Sequence, residues 1–190
     1  MAFAKMKLGA LRKPTLDASL LESLDEIIEL LNTTIKDTRG LISELSPSVL
    51  YELGFIPAIE WLCQEMQQKY GIKVSYQDDK RPKPLDEDVR VLLFQAVREL
   101  LVNVAKHAES REANVSISRV GNKIRIEVSD DGIGFDNSEI GLHADIEGGF
   151  GLFSIRERLE PIGGQLKIES EPGNGTKVII TAPLGKERTE

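Results

Sequence analysis

The first part of the chain carries one long apolar stripe with helical spacing. Apolar residues recur three or four positions apart over residues 20–45, which is the repeat of an amphipathic helix. Pro14 precedes this stripe and Ser46-Pro47 ends it. Residues 2–12 form a shorter apolar segment, and a helix with a single apolar face needs a partner to cover that face. The pattern predicts a helical hairpin in residues 1–47, and two such hairpins would pair as a four-helix bundle in a homodimer.

The remainder, residues 48–190, alternates between helical and strand patterns and is predicted to form one layered domain. Helical spacing predicts a helical turn at 50–53 and helices over 56–70, 86–108 and 152–160. Alternating apolar residues predict strands at 72–76, 115–117, 124–128, 166–169 and 177–181, with a hairpin turn at Val120-Gly121-Asn122. The predicted fold class is α+β, a two-layer α/β sandwich with helices on one face of a mostly antiparallel sheet.

Charge and composition narrow the range of partners. The 190 residues carry a formal net charge of −7, which argues against nucleic acid, because a phosphate backbone is bound by a basic surface. No apolar run approaches the roughly 20 residues that cross a bilayer, and the chain does not open on a signal segment. The single cysteine, Cys63, excludes an internal disulfide and gives no zinc pattern. We therefore expect a cytoplasmic protein without direct membrane contact in this chain.

Two glycine clusters flank the segment between the hairpin and the next predicted helix. Asp130-Asp131-Gly132-Ile133-Gly134-Phe135 follows a predicted strand, and Gly148-Gly149-Phe150-Gly151-Leu152 precedes a helix. Glycine at 132 and 134 lets the backbone approach a flat ligand. Glycine at 149 and 151 before a helix start leaves amide N–H groups that suit a phosphate. Either cluster alone is also consistent with simple turns, but the two together indicate a nucleotide site.

Polar residues on the predicted 86–108 helix form a second group. Glu99 and Asn103 lie one turn apart on the same face, and Lys106 and His107 end the helix. The amide oxygen of Asn103 is a ligand type that suits Mg²⁺, which keeps water and phosphate oxygens at its other positions. Glu99 can accept a proton or order a water. The alternative is that Glu99 and Asn103 are ordinary surface residues and that His107 is a cation stabilised by the helix dipole.

Together these motifs resemble the N, G1, G2 and G3 boxes of the ATP-binding domain of sensor histidine kinases in the GHKL superfamily. The resemblance rests on Glu99-x-x-x-Asn103-x-x-Lys106-His107-Ala108, Asp130-x-Gly132-x-Gly134-Phe135, Gly149-x-Gly151-Leu152 and Gly175-Thr176. Residues 151–159 and 162–166 resemble the HisKA_3 branch, whose partners are response regulators with helix-turn-helix outputs. Residues 42–55 resemble the end of that branch's dimerisation hairpin. The resemblance implies a Bergerat ATP-binding fold that transfers the γ-phosphoryl group of ATP to a histidine, for relay to a response regulator aspartate.

The resemblance implies a role for each matching residue. Asp130 would accept a hydrogen bond from the exocyclic amine of adenine, which favours ATP over GTP, and Thr176 would lie near the adenine. Asn103 would bind Mg²⁺ and Glu99 would be the general base. Other implied ATP-binding residues are Lys106 and His107 near the phosphates, with Gly132, Gly134, Gly149, Gly151 and Leu152 around the nucleotide. Residues 136–148 would form a mobile lid.

One feature departs from this family. In the HisKA_3 branch the phosphorylated histidine lies on the first dimerisation helix, whereas the two histidines here are His107, in the N box, and His143, in the lid. We therefore expect a fragment of a longer sensor kinase, or a truncated member, that binds ATP without autophosphorylating. The alternatives are a nucleotide-binding dimerising regulator without kinase activity and an anti-sigma-type serine kinase. The predicted hairpin argues against the serine kinase, which does not need a long dimerisation helix.

Overall fold

The computed structural model describes residues 48–136 and 149–185. The described residues form, in chain order, α1 (Ser48–Glu52), α2 (Phe55–Tyr70), β1 (Lys73–Asp78), α3 (Glu87–His107), β2 (Glu112–Val120), β3 (Lys123–Asp130), α4 (Gly149–Leu159), a 3-10 turn (Glu160–Ile162), β4 (Gln165–Ser170) and β5 (Thr176–Pro183). The helical hairpin predicted for residues 1–47, and residues 137–148 of the predicted lid, lie outside the described residues.

The five strands form one sheet in the order β1-β2-β3-β5-β4. The pairs β2–β3, β3–β5 and β4–β5 are antiparallel, as the sequence predicts, and the hairpin turns at Gly121, where φ is 61°. The pair β1–β2 is parallel, because α3 carries the chain back across the sheet between these strands. The predicted α+β class, with helices packed on a mostly antiparallel sheet, is confirmed.

A single apolar core joins the helices to one face of the sheet. Along β3 and β5 every second residue is buried, and Ile126 and Ile180 are fully enclosed. Leu101 of α3 and Ile155 of α4 are equally enclosed and belong to the same cluster. Because successive side chains of a strand point to opposite faces, the alternating apolar residues of β3 and β5 all face the helices. Within the described ranges, none of the helices is both long and apolar enough to cross a bilayer.

The element boundaries differ from the predicted ones where polar residues continue a regular structure. Strand β2 extends back to Glu112, well before the predicted start, because its pairing with β3 continues to the pair Ala113 and Asp130. Helix α4 begins at Gly149 rather than at Leu152. Gly149 and Gly151 therefore lie within the first turn of the helix, and the prediction that they precede it was wrong.

A partly buried ion-pair cluster stands at the end of the sheet where β1 finishes. The Lys83 side chain is only 1% exposed, and its Nζ lies 2.6 Å from Oδ1 of Asp78. The same ammonium group donates to the carboxylate of Asp79 and, at 3.0 Å, to the backbone carbonyl of Arg81. The hydrogen bond from Lys83 holds the pKa of Asp79 below its ordinary value, with help from the backbone N–H of Arg119. The cluster fixes the loop between β1 and α3.

Candidate functional site

A cavity of about 80 Å³ opens where β3 ends and β5 begins, against the last two turns of α3. Its walls are mostly apolar, and Val128, Val178 and Leu152 are buried there. Four polar side chains enter the same cavity, from Asn103, His107, Asp130 and Thr176. The other lining residues are Leu100, Val104, Ala108, Gly134 and Phe135. A mostly apolar concavity with a few convergent polar groups is typical of a small-molecule site.

Six of the residues that the sequence indicates as ATP-binding meet at this cavity, although they come from four different parts of the chain. They are Asn103, His107, Asp130, Gly134, Leu152 and Thr176. The described lining does not include Glu99, Lys106, Gly132 or Gly151. Glu99 lies one turn before Asn103 on α3 and is half-buried, whereas Lys106 is exposed at the end of that helix.

Asp130 stands at the end of β3, directly opposite Thr176 on β5. Its Oδ1 accepts a hydrogen bond of 2.9 Å from the backbone N–H of Gly132, and its carboxylate also accepts one from the backbone N–H of Thr176. Burial raises the pKa of Asp130 above its ordinary value, the charge of Asp131 adds to this, and the two N–H groups oppose it. The backbone thus fixes a half-buried carboxyl group at the cavity wall.

The loop that follows Asp130 is held by backbone contacts that only glycine permits. A Cβ at Gly132 would overlap the carbonyl oxygen of Ala108, which also accepts a 2.8 Å hydrogen bond from the N–H of Ile133. Gly134 has a φ of +57°, and a Cβ there would overlap the carbonyl oxygens of Glu171 and Gly175. These glycines therefore let the loop fit between the end of α3 and the β4–β5 turn.

Gly151 has a comparable packing role in the first turn of α4. A Cβ at this position would overlap the carboxylate of Glu99, so a larger residue would require the Glu99 side chain to move. The phosphate-binding role that the motifs indicate for Gly151 stays a prediction. In the structure the absence of a side chain at Gly151 lets Glu99 lie against the start of α4.

Two serine side chains outside the predicted site residues organise the surroundings of Asp130. Ser170, the last residue of β4, contacts Phe135, Gly175 and Thr176 through its Oγ. Ser110 donates a 2.5 Å hydrogen bond to the exposed Asp131. A lone serine at a strand end has no distinguishing sequence signal, and only the register of β4 against β5, which pairs Ser170 with Thr176, reveals its position.

Comparison with known proteins agrees with this geometry. Residues 88–186, just over half of the chain, match the family described as histidine kinase-, DNA gyrase B-, and HSP90-like ATPase. The chain belongs to this ATPase family. Every residue that lines the cavity falls within the matched segment, so the cavity is part of an ATP-binding domain, and the GHKL membership that the motifs predict is confirmed.

The ATPase-family chain is similar to two bacterial sensor kinases. It is 32% identical over 174 residues to the signal transduction histidine-protein kinase/phosphatase DegS of Brevibacillus brevis, covering 90% of this chain and 44% of DegS. It is 32% identical over 166 residues to the oxygen sensor histidine kinase NreB of Staphylococcus carnosus, covering 87% of this chain and 46% of NreB. The chain therefore spans less than half the length of either relative.

The fold is also that of a solved kinase. The blue-light activated histidine kinase EL346 of Erythrobacter litoralis superposes with a TM-score of 0.57, covering 90% of this chain and 52% of that one, at 23% sequence identity. At this identity the comparison supports the fold alone, a mixed sheet covered by helices.

Proposed function

We propose that this chain contains the catalytic ATP-binding domain of a two-component sensor histidine kinase. In this proposal the domain passes the γ-phosphoryl group of ATP to a histidine, from which it is relayed to an aspartate of a response regulator. The observation that carries the proposal is the single cavity that joins Asp130, Thr176 and Asn103. The names of the two relatives, both histidine kinases, support the same activity.

In this proposal adenine occupies the apolar end of the cavity. Val128 and Val178 come from adjacent paired strands and offer a surface against which a flat ring can pack, while Asp130 stands at its edge. An ionised carboxylate accepts a hydrogen bond from the exocyclic amine of adenine. A purine with a carbonyl group at the same position would bring two acceptors together, which a site built around a buried acceptor rejects.

The phosphates would extend from the base toward the last turn of α3. Asn103 and His107 line the cavity, and Lys106 precedes His107 at the exposed helix end. The described residues include no group of three or more His, Cys, Asp or Glu side chains that could hold a metal by themselves. Mg²⁺ needs only one or two protein ligands when phosphates supply the rest. Asn103 would hold the ion, which neutralises phosphate charge when bound, and Glu99 would act as the general base.

In this proposal the acceptor histidine comes from outside this sequence. The two histidines present are His107 and His143, and His107 lines the nucleotide cavity itself. We infer that the chain works in the cytoplasm as part of a longer sensor kinase that pairs through residues 1–47 and has a response regulator as its partner.

The experiment mixes the chain with Mg²⁺ and γ-labelled ATP in the presence of a second polypeptide. That polypeptide joins a histidine-bearing dimerisation hairpin to a copy of this domain carrying Asp130→Asn and Glu99→Gln, so that it can accept phosphate but has a weakened ATP site and lacks the proposed general base. We expect acid-labile label on the second polypeptide, and none when the first chain carries Glu99→Gln.

The other outcomes separate the alternatives. ATP binding without any transferred label would favour a nucleotide-binding regulator without kinase activity. Acid-stable label would favour a serine kinase. A chain that binds no ATP at all would refute the proposal.

A further inference from the structure

The hydroxyl group of Ser170 has three polar neighbours, and two of the residues that provide them, Phe135 and Thr176, line the cavity. The backbone N–H of Phe135 lies 2.9 Å from Ser170 Oγ, the carbonyl oxygen of Gly175 lies 3.0 Å from it, and Oγ1 of Thr176 lies 3.1 Å from it. Ser170 therefore links the loop after β3, the turn before β5, and the threonine that lines the cavity.

These three contacts determine the direction of every hydrogen bond. A serine hydroxyl has one proton to donate and two lone pairs to accept with. The backbone N–H of Phe135 can only donate, and the carbonyl of Gly175 can only accept. Ser170 therefore donates its proton to the carbonyl of Gly175 and accepts from the N–H of Phe135 with one lone pair. Only its second lone pair remains for Thr176. Thr176 must then be the donor in the bond between the two hydroxyl groups.

This direction fixes what Thr176 offers to a ligand. Because its only proton points at Ser170, its oxygen presents lone pairs to the cavity. Asp130, which stands opposite on β3, also presents acceptor oxygens when ionised. We propose that Ser170 is a positioning residue for purine selection: it orients the Thr176 hydroxyl so that Thr176 and Asp130 form an acceptor-only wall that favours a 6-aminopurine over a 6-oxopurine. The proposal rests on the ATP-binding function proposed above.

The test compares the affinities for ATP and ITP. Their bases carry an amino or a carbonyl group at the same carbon, C6, and the neighbouring N1 is an acceptor in ATP and an N–H donor in ITP. In Ser170→Ala the Thr176 proton is free to turn toward the cavity and to donate to the carbonyl of ITP. One hydrogen bond of ordinary net strength predicts that the ATP-over-ITP affinity ratio falls roughly two- to tenfold. In Thr176→Val, which keeps the side-chain shape and removes the hydroxyl, adding Ser170→Ala should leave the ratio unchanged.

Ser116→Ala is the matched control. Ser116 lies on β2 between the buried Val115 and Ile117, so it faces the other side of the sheet, and its loss should change neither affinity. Ser170→Ala also removes the partners of Phe135 and Gly175, so its thermal unfolding is measured. If this variant does not fold, Ser170→Cys keeps a weaker donor and acceptor at the same position and should shift the ratio in the same direction.

Two results would overturn the inference separately from the proposed function. If the wild-type chain binds ATP but Ser170→Ala and Ser170→Cys weaken ATP and ITP by the same factor, Ser170 is purely structural. If the ratio falls equally in the presence and absence of the Thr176 hydroxyl, Ser170 does not act through Thr176. A wild-type chain that binds neither nucleotide would instead refute the ATP site itself, and the inference with it.

Discussion

Replacement of Asp130 by asparagine tests the nucleotide site with the smallest change in shape. The carboxylate accepts hydrogen bonds from the backbone N–H groups of Gly132 and Thr176, so its surroundings demand acceptors. Asparagine has one oxygen where aspartate has two. If that oxygen satisfies the backbone, the amide N–H₂ group faces the cavity, and a donor then meets the exocyclic amine of adenine.

The size of the effect follows from the bond that is lost. A hydrogen bond to a charged group contributes about 1.5–3 kcal/mol, which corresponds to a loss of ATP affinity of roughly 10- to 150-fold. ITP should lose much less affinity, because its carbonyl oxygen can accept from the new amide N–H. Asp130→Asn should therefore reduce or reverse the preference for ATP over ITP.

The free energy of unfolding should respond differently from ATP affinity, because the substitution removes a titratable group. Burial raises the pKa of Asp130 in the folded protein, so its stabilising contribution is present at low pH and is lost as the pH rises through that pKa. Asparagine does not titrate. The free energy of unfolding of Asp130→Asn, relative to the wild type, should therefore improve as the pH is raised from acid to neutral.

Isothermal titration calorimetry measures the affinities, and urea unfolding at several pH values measures the stability. Asp131→Asn is the control, since it removes the same charge from the neighbouring residue, which is exposed and bonded to Ser110. Unchanged ATP affinity in Asp130→Asn, or an equal loss in Asp131→Asn, would show that Asp130 does not recognise the base.

Four further predictions concern the neighbouring contacts. Gly134→Ala places a side chain at positive φ against two carbonyl oxygens and should lower the free energy of unfolding by about 1–3 kcal/mol in urea titration. Gly151→Ala should displace Glu99 and reduce label transfer more than ATP affinity, and equal losses of both would contradict this role. The ionised form of Asp130 is the one that accepts from adenine, and its pKa is raised. ATP affinity measured by calorimetry should therefore begin to fall on acidification at a pH above that at which an ordinary aspartate is protonated. Lys83→Met should lower the thermal unfolding midpoint and leave ATP affinity unchanged, since its ion-pair cluster stands at the other end of the sheet.

Much of the fold could be predicted because its signals are local. The apolar stripe of α3 repeats over many turns, and its acidic start and basic end match the helix dipole. The strands β2 and β3 alternate clearly and are joined by a turn at Gly121. Such patterns depend on the periodicity of the sequence, so they can be recognised without knowledge of the tertiary contacts.

The features that escaped prediction depend on contacts between distant segments. Nothing in the β1 sequence shows that it pairs in parallel with β2, because strand direction is decided by the connecting helix. Ser170 becomes part of the site only through the register of β4 and β5. Gly151 looks like a loop residue until Glu99, from another helix, is placed beside it.

The same dependence on distant contacts separates two kinds of residue in the site. Gly132 and Gly134 set the distance between backbone segments. A side chain at Gly132 would displace the loop from the end of α3, and one at Gly134 would displace it from the β4–β5 turn. Their substitution should reduce stability and ATP affinity together. Asp130 and Thr176 instead sit opposite each other on paired strands, and the polar ends of their side chains can change while the sheet stays intact. A substitution that alters the choice of purine without lowering stability is therefore possible only at such positions, and it would separate recognition of the base from formation of the fold.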